Sequence, residues 1–509
     1  MAAQWGEKVI WVVTGLVFLL WAVTVARDAS GFRYTPIGDY QQHNAETYNV
    51  LAGNFSEDAA YRGELTWYPL LTPAAVALVH VISGWPVQRI YAGMVYLVSI
   101  PVVLLFILAT QKLFGSSKIT LVSLFALVFV MPWTTHQLTL VLHPVVAAMG
   151  LLAAAVWLFA EAERRRRVGW FIVSGVGVAL VIYSQTIAAI TLCGGITLYQ
   201  ILTRKSWRGF ILMVVTSFIL VAPYFLPLIV IYHLVPRNNF GTYYYVFLNN
   251  WDAFFYGIGP VRFLNVVLVV SGLVVMMLGK RVEDKVVLGV FFFGLTAELS
   301  GVMRHYGLGP NFLPEFVTSD FQLFNHEVAI WPLATGAVYW GRWLVRRAGG
   351  LGKLGVAGLA TFYAFYHLSL FGPRMAERLA YMRTGEEYEL PWVGTADWIK
   401  KHTSVGDVIL ADQQISYIFI SGMTGRKVVA TDNAHANTFV DQKERVSDLG
   451  KMLAADNLSE FERLAGKYAI SYVLLTDYQQ VKLDGLLSLP EFKSVYADGP
   501  IHIYRYRLR

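Results

Sequence analysis

Val9-Ile10-Trp11-Val12-Val13-Thr14-Gly15-Leu16-Val17-Phe18-Leu19-Leu20-Trp21-Ala22-Val23-Thr24-Val25-Ala26 carries no charge, and a dozen residues on comes Gly38-Asp39-Tyr40-Gln41-Gln42-His43-Asn44-Ala45-Glu46. The first stretch is long enough to cross hydrocarbon, which takes roughly 17 to 25 apolar residues. It follows Glu7-Lys8 and shows no convincing small-residue cleavage site, so it reads as a retained anchor. The second is polar and opens on a carboxylate just past the membrane exit.

The rest of the chain repeats that alternation. Of 509 residues, 56% are apolar and only 15% charged, too few charges for one large water-soluble body. Apolar stretches lie at 9–26, 70–84, 90–111, 118–133, 135–160, 169–184, 186–203, 208–232, 262–279, 285–301, 327–345 and 353–371. Basic residues cluster at Arg164 to Arg167, at Arg204, Lys205 and Arg208, at Lys280-Arg281 and at Arg346-Arg347, marking cytoplasmic turns. Counting back from Arg164 with a cytoplasmic N-terminus leaves 27–89 wholly outside. The 70–84 stretch, interrupted by Pro73, His80 and Gly84, then lies along the interface. The expectation is a polytopic α-helical membrane protein of about eleven spans over 1–372, with 27–89 as a first outer loop. The net charge of +7 is accounted for by these turns, so no nucleic-acid partner is expected. Cys193 is the single cysteine, which excludes disulfides within the chain.

From Pro373 onward charges recur every few residues. Helical and strand patterns alternate: a helix at 395–402, strands at 408–411, 427–430 and 472–475, helices near 416–424 and 441–465, and a closing strand pair at 494–496 and 501–507. That order predicts a soluble α/β domain over 373–509 with a mainly parallel sheet, on the extracytoplasmic side. It contains no GxGxxG and no P-loop.

Polar residues concentrate in the outer segments 27–89, 233–261 and 302–326. Asp39 is the candidate general base: a carboxylate at a membrane exit can deprotonate a hydroxyl while a lipid-linked donor stays in the bilayer. The same acid would also serve as a plain helix cap. Tyr40, His43 and Glu46, which follow it, are candidates to bind the substrate. Arg237, Arg304, His305 and His326 are candidates to hold a partly desolvated phosphate, and His136, His143 and Glu327 to line the substrate site. Snorkelling of Arg and His to headgroups is the competing explanation for each cation. The runs Tyr243-Tyr244-Tyr245 and Trp251 to Tyr256 suit an interfacial aromatic belt as well as a sugar platform. No HExxH or DxD stands in the membrane region, so no cofactor is assigned and a divalent metal stays open.

Taken together these pieces resemble the GT-C superfamily of polyprenyl-phosphate-sugar glycosyltransferases, which includes protein O-mannosyltransferases, aminoarabinose transferases, arabinofuranosyltransferases and oligosaccharyltransferases. The resemblance rests on Gly38-Asp39-Tyr40 after the first span, on Tyr68-Pro69-Leu70-Leu71-Thr72-Pro73, on Pro132 before a polar helix start, and on Asn325-His326-Glu327-Val328-Ala329-Ile330-Trp331-Pro332. In the soluble part, Ala396-Asp397-Trp398-Ile399-Lys400-Lys401-His402-Thr403, Asp407 to Asp412 and Gly425 to Ala434 look like the outer domain of archaeal oligosaccharyltransferases. Where such an enzyme carries WWDYG, this chain has Ala411-Asp412-Gln413-Gln414-Ile415-Ser416-Tyr417, and the start at Thr134 to His143 lacks the acidic metal motif. The resemblance therefore implies a membrane enzyme that moves a single sugar from a polyprenyl-phosphate-sugar donor to a hydroxyl of a glycan, lipid or protein acceptor. A lipid or glycan transporter or flippase, and a non-catalytic receptor subunit, are the alternatives.

Overall fold

The computed structural model describes residues 2–29, 38–93, 95–131, 138, 144–235, 237–238, 261–305, 318–384, 390–432, 435–478 and 482–507; side chains are described except at 2–5, 28–29, 301–305, 318–323 and most of 364–391. It divides into two compact units. One comprises Met1–Gly31, Gly93–Ala222 and Gly241–Ala380; the other comprises Phe32–Ala92, Pro223–Phe240 and Tyr381–Arg509.

The first unit is helical throughout its described residues. Among the described residues, six helices are long and apolar enough to cross a membrane: 6–27, Val95–Phe114, Pro144–Arg165, Thr186–Thr203, Trp207–Tyr232 and Val261–Leu278. Ser117–Val130 and Val168–Ser184 are shorter apolar helices. Val282–His305 and Thr318–Thr384 cover the remaining stretches read as spans, and the second is interrupted at Gly349, where φ is 52°. That break falls between the 327–345 and 353–371 stretches. Many of the exposed residues on these helices are leucine, valine, isoleucine and phenylalanine, as lipid demands. The chain is a multi-pass membrane protein.

Helix contacts in this unit depend on small residues. A Cβ on Gly272 would lie 1.8 Å from the carbonyl oxygen of Pro332, and one on Gly336 would lie 2.0 Å from that of Leu268. Val261–Leu278 and Thr318–Thr384 thus meet backbone to backbone. Gly195 approaches Val290 just as closely, with a Cβ at 2.2 Å from its Cα. Membrane helices lack a hydrophobic drive toward one another, so close van der Waals approach carries more of their association. Trp331 fills the interior beside them. Its ring stacks on Phe106 at 5.7 Å, and its Nε1 donates to Thr110 Oγ1 at 2.9 Å.

The second unit is built on a five-stranded sheet of order β2-β1-β3-β5-β4, with β1 at Val408–Leu410, β2 at Lys427–Val428, β3 at Ile470–Thr476, β4 at Phe492–Asp498 and β5 at Ile501–Tyr506. β1 pairs in parallel with β2 and β3, while β3–β5 and β4–β5 are antiparallel. The sheet is mixed rather than mainly parallel because the chain returns through the tight Gly499-Pro500 turn, which leaves no room for a crossover helix. Strand alternation divides the core in two. Val408, Leu410, Val473 and Leu475 pack with Leu449, Met452, Phe461 and Leu464 from the helices Gln442–Leu453 and Leu458–Tyr468. Ile409, Tyr472 and Leu474 point the other way, where Ile399, Ile420 and Tyr61 cover them.

Tyr61 comes from the segment that follows the first apolar helix, so that segment is part of the sheet's core. Its hydroxyl donates to Gln442 Oε1 at 2.7 Å and shares a bond with Thr431 Oγ1 at 2.8 Å, while the Arg445 guanidinium lies 4.3 Å from its ring centroid. Val428 N–H bonds to Ala60 O at 2.8 Å. Lys427, fully buried, reaches Asn49 Oδ1 at 3.0 Å, the carbonyl of Asp58, and Glu57 Oε2 at 3.4 Å. A buried ammonium needs such partners, since an unpaired one costs several kcal/mol. The apolar helix Leu71–Ser83 also belongs to this unit. It ends on Gly84 (φ 69°), and the following Val87–Gly93 helix is bent from it by 110°. Leu78, Val81 and Ile82 stand exposed on it, a lipid-compatible face.

Candidate functional site

Asp39 opens the helix Asp39–Leu51 in the second unit. The turn into that helix requires Gly38, whose φ of 131° is strained for any residue with a Cβ. At the first helical position the carboxylate also faces the positive end of the helix dipole. The helix is pressed onto the π-helical turn Ser416–Thr424, with Gly422 against Gln41 and Gly425 against Tyr48; a Cβ on these glycines would come within 2.6 and 2.3 Å of those side chains. π-helical turns are often found at functional sites.

Three further residues converge on Asp39. His435 Nε2 lies 2.6 Å from Asp39 Oδ1, and His435 Nδ1 lies 2.8 and 2.9 Å from the two carboxylate oxygens of Asp432. Tyr417, from the π-helical turn, stacks on the imidazole at 4.2 Å with planes 15° apart, and its hydroxyl donates to Gly38 O at 2.5 Å. The loop is held from behind: Gln413 Nε2 donates to Thr431 O at 2.6 Å, and Asp412 caps Gln414 and Ile415. The imidazole is 11% exposed, whereas Asp39 is 58% exposed and so remains reachable. Burial alone would pull the histidine pKa down. Hydrogen bonds and charge from Asp39 and Asp432 together outweigh it and carry the value up to about 9.

The other sequence-predicted residues fall in different settings. Tyr40 is half-buried beside Asp39. His43 and Glu46, on the same helix, are each 1% exposed, His43 lying between the rings of Tyr68 and Tyr91 at 5.1 and 6.3 Å. Glu46 is buried near Asp58 and Lys427; burial first, then the Asp58 charge, holds its proton well above the ordinary glutamate range against the pull of Lys427. Arg237 is exposed, and its backbone N–H bonds to Thr438 O at 2.9 Å, on the loop that carries His435. His326 and Glu327 belong to the first unit and are buried, next to Asn325, whose Nδ2 donates to Glu298 Oε2 at 2.9 Å. Arg304 and His305 end the Val282–His305 helix, with side chains outside the described ones. His136 and His143 lie outside the described residues, as do the aromatic runs after Tyr243. Among the described residues no three His, Cys, Asp or Glu side chains are arranged to hold a metal ion.

Sequence reasoning missed His435, Asp432 and Tyr417 as partners of Asp39. The available signal was local, the spacing of Asp432 and His435 by three residues. Their meeting with Asp39 spans 396 positions, and no periodicity reports it.

A multi-span helical body together with a small α/β domain is the GT-C fold, and this chain has it. Solved structures with that fold match most of its length. ArnT from Cupriavidus metallidurans bound to undecaprenyl phosphate superimposes with a TM-score of 0.56 at 11% identity, over 97% of this chain and 98% of that one. The archaeal oligosaccharyltransferase AglB from Archaeoglobus fulgidus, in complex with an inhibitory peptide and a dolichol-phosphate, matches with a TM-score of 0.52 at 13% identity, over 99% of this chain and 74% of that one. The arabinofuranosyltransferase AftD from Mycobacteria matches with a TM-score of 0.56 at 12% identity over 98% of this chain, which spans 40% of AftD. No protein-family model and no curated protein sequence matches the chain.

Proposed function

We propose that the protein is an inverting membrane glycosyltransferase that takes a sugar from a polyprenyl-phosphate donor and passes it to an acceptor hydroxyl on the extracytoplasmic face. The observation that carries this reading is Asp39: an exposed carboxylate, fixed at a helix start directly after the first span, in a chain with the GT-C fold. In this reaction Asp39 accepts the hydroxyl proton while the acceptor oxygen bonds to the anomeric carbon from the face opposite the lipid. The bond from that carbon to the phosphate oxygen breaks, and the lipid phosphate leaves with the electron pair. The leaving phosphate gains charge, which cations stabilise most where water is scarce. Arg237, tied to the loop of His435, is the first candidate for that role, with Arg304, His305 and His326 as further ones. Two of the matched structures hold lipid phosphates, undecaprenyl phosphate in one and dolichol-phosphate in the other, which supports this donor class.

The test is turnover of undecaprenyl-phosphate-linked monosaccharides by the full-length chain, read as release of undecaprenyl phosphate. General-base catalysis contributes roughly 10²- to 10⁴-fold, so Asp39→Asn is expected to lose at least two orders of magnitude in kcat with donor KM little changed. Wild-type turnover by that variant would remove Asp39 from the mechanism.

A further inference from the structure

Both ring nitrogens of His435 face carboxylate oxygens, and an ionised carboxylate can only accept. Each nitrogen can therefore donate only if the ring carries two protons, so the arrangement Asp39–His435–Asp432 is a buried imidazolium between two acids. Asp432 fixes the ring from the far side by two routes, through Nδ1 and through the His435 backbone N–H, which bonds to Asp432 Oδ1 at 3.0 Å. Tyr417 fixes the ring plane by stacking and at the same time grips the carbonyl of Gly38, the residue that starts the Asp39 helix. Among the described residues, three elements present a named group to the imidazole: Asp39 from the helix, Asp432 from its own loop, and Tyr417 from the π-helical turn.

We propose that His435 is a positioning residue for the transfer reaction, holding Asp39 correctly aimed through Oδ1 while Asp432 anchors the ring in the charged form. The proposal rests on the reading of Asp39 as general base. It makes the α/β domain a contributor to proton transfer as well as a scaffold for the acceptor. The imidazolium bond removes the rotational freedom that would let Asp39 turn away from the acceptor. Small misplacements of a catalytic group cost as much as about 100-fold in rate. Once the ring loses a proton, the nitrogen left without one presents a lone pair to a carboxylate. That contact turns repulsive, so the hold on Asp39 weakens either directly at Nε2 or through the loss of the Asp432 anchor at Nδ1. An alkaline fall in kcat centred on the imidazole's titration, at about 9, follows.

The test compares full-length wild type, His435→Ala, His435→Gln, Asp432→Asn and Asp39→Asn with undecaprenyl-phosphate-linked monosaccharides across pH 6 to 10, roughly the range in which a perturbed imidazole titrates. His435→Ala is expected to lower kcat about 10- to 100-fold with donor KM unchanged. His435→Gln, which keeps a donor and guards against simple unfolding, should restore part of the rate and lack the alkaline limb. Asp432→Asn should move that limb to lower pH. If Asp39→Asn is inactive while both His435 variants retain wild-type kcat and the same alkaline limb, the positioning role is wrong and the base assignment stands. If Asp39→Asn turns over normally, the base assignment itself is wrong.

A second measurement needs no donor. Diethyl pyrocarbonate modifies only the neutral imidazole, so its rate at His435, followed by peptide mass spectrometry at fixed pH near 7.5, reports the clasp directly. Each pKa unit lost changes the neutral fraction about tenfold, and Asp39→Asn is expected to raise the modification rate by about that factor. An unchanged rate would overturn the proposal.

Discussion

At the scale of single residues, two buried ionisable groups give the α/β unit a shared response to pH. Glu46 takes up its proton more readily when folded than when unfolded, because burial and the neighbouring Asp58 disfavour its charge. The stability it confers is complete below the ordinary glutamate pKa of about 4.3 and is lost as pH climbs through its raised folded value. His435 acts in the same sense: its folded pKa, about 9, exceeds the unfolded 6.5, so its contribution is full below 6.5 and vanishes as pH rises through 9. That separation corresponds to on the order of 2 kcal/mol once the exposure of Asp39 is allowed for. Both groups therefore make the unit weaker in alkali. Glu46→Gln is expected to remove one component, raising the thermal midpoint of the detergent-solubilised protein at pH 8 and leaving it nearly unchanged at pH 5. Equal shifts at both pH values would count against a proton bound to Glu46. Sequence alone marks Glu46 as a substrate-binding candidate because it lies in the polar stretch that follows the first span. Its 1% exposure reflects the helix face it occupies, toward Lys427, and that face is decided by a partner nearly four hundred positions away.

At the scale of elements, helices were legible wherever an apolar run ended in a basic or glycine-bearing turn. Val168–Ser184 and Thr186–Thr203 fall within one residue of their sequence ranges, because Arg167 starts one and Arg204, in a left-handed conformation, stops the other. The strands of the α/β domain were legible from β-branched runs such as Val408-Ile409-Leu410. Sheet direction was less so, since pairing depends on connection length as much as on strand composition. What no apolar run announces is which helix crosses which. The crossing of Val261–Leu278 with Thr318–Thr384 is fixed by Gly272 and Gly336, two glycines among the 43 of the chain. Overpacking typically costs about 1–3 kcal/mol and more where backbone is struck. Gly272→Leu is expected at the upper end of that range, seen as loss of monodisperse protein in mild detergent. Gly150→Ala, where the nearest atom is 3.1 Å from the added carbon, should be tolerated far better. Equal behaviour of the two variants would mean that the Gly272 crossing does not govern the helical unit.

At the scale of the molecule, the segment after the first apolar helix and the C-terminal sheet are one folded body, although some three hundred residues separate them in sequence. Tyr61 sits in the apolar core under Ile409 and Leu474, and Lys427 binds the Asp58 carbonyl and Asn49. A soluble fragment of 390–507 is expected to lack cooperative unfolding, because a buried tyrosine and its hydrogen bonds are worth roughly 3–5 kcal/mol by themselves. Joining 38–68 to that fragment through a flexible linker should restore a single sharp transition in urea. A fully cooperative 390–507 fragment would show that the sheet does not need that segment. Sequence alone placed a domain boundary by charge density near Pro373, and charge density is silent about which distant loop completes the core.

The distance along the chain between Asp39 and His435 has a biosynthetic consequence. A ribosome delivers the carboxylate early and its imidazole partner only after nearly all the intervening helices have been inserted. A polypeptide ending before position 435 would carry the carboxylate without the imidazole that faces it in the finished fold. The clustering of Asp39, Asp432 and His435 is therefore among the last features of the α/β unit that synthesis can complete.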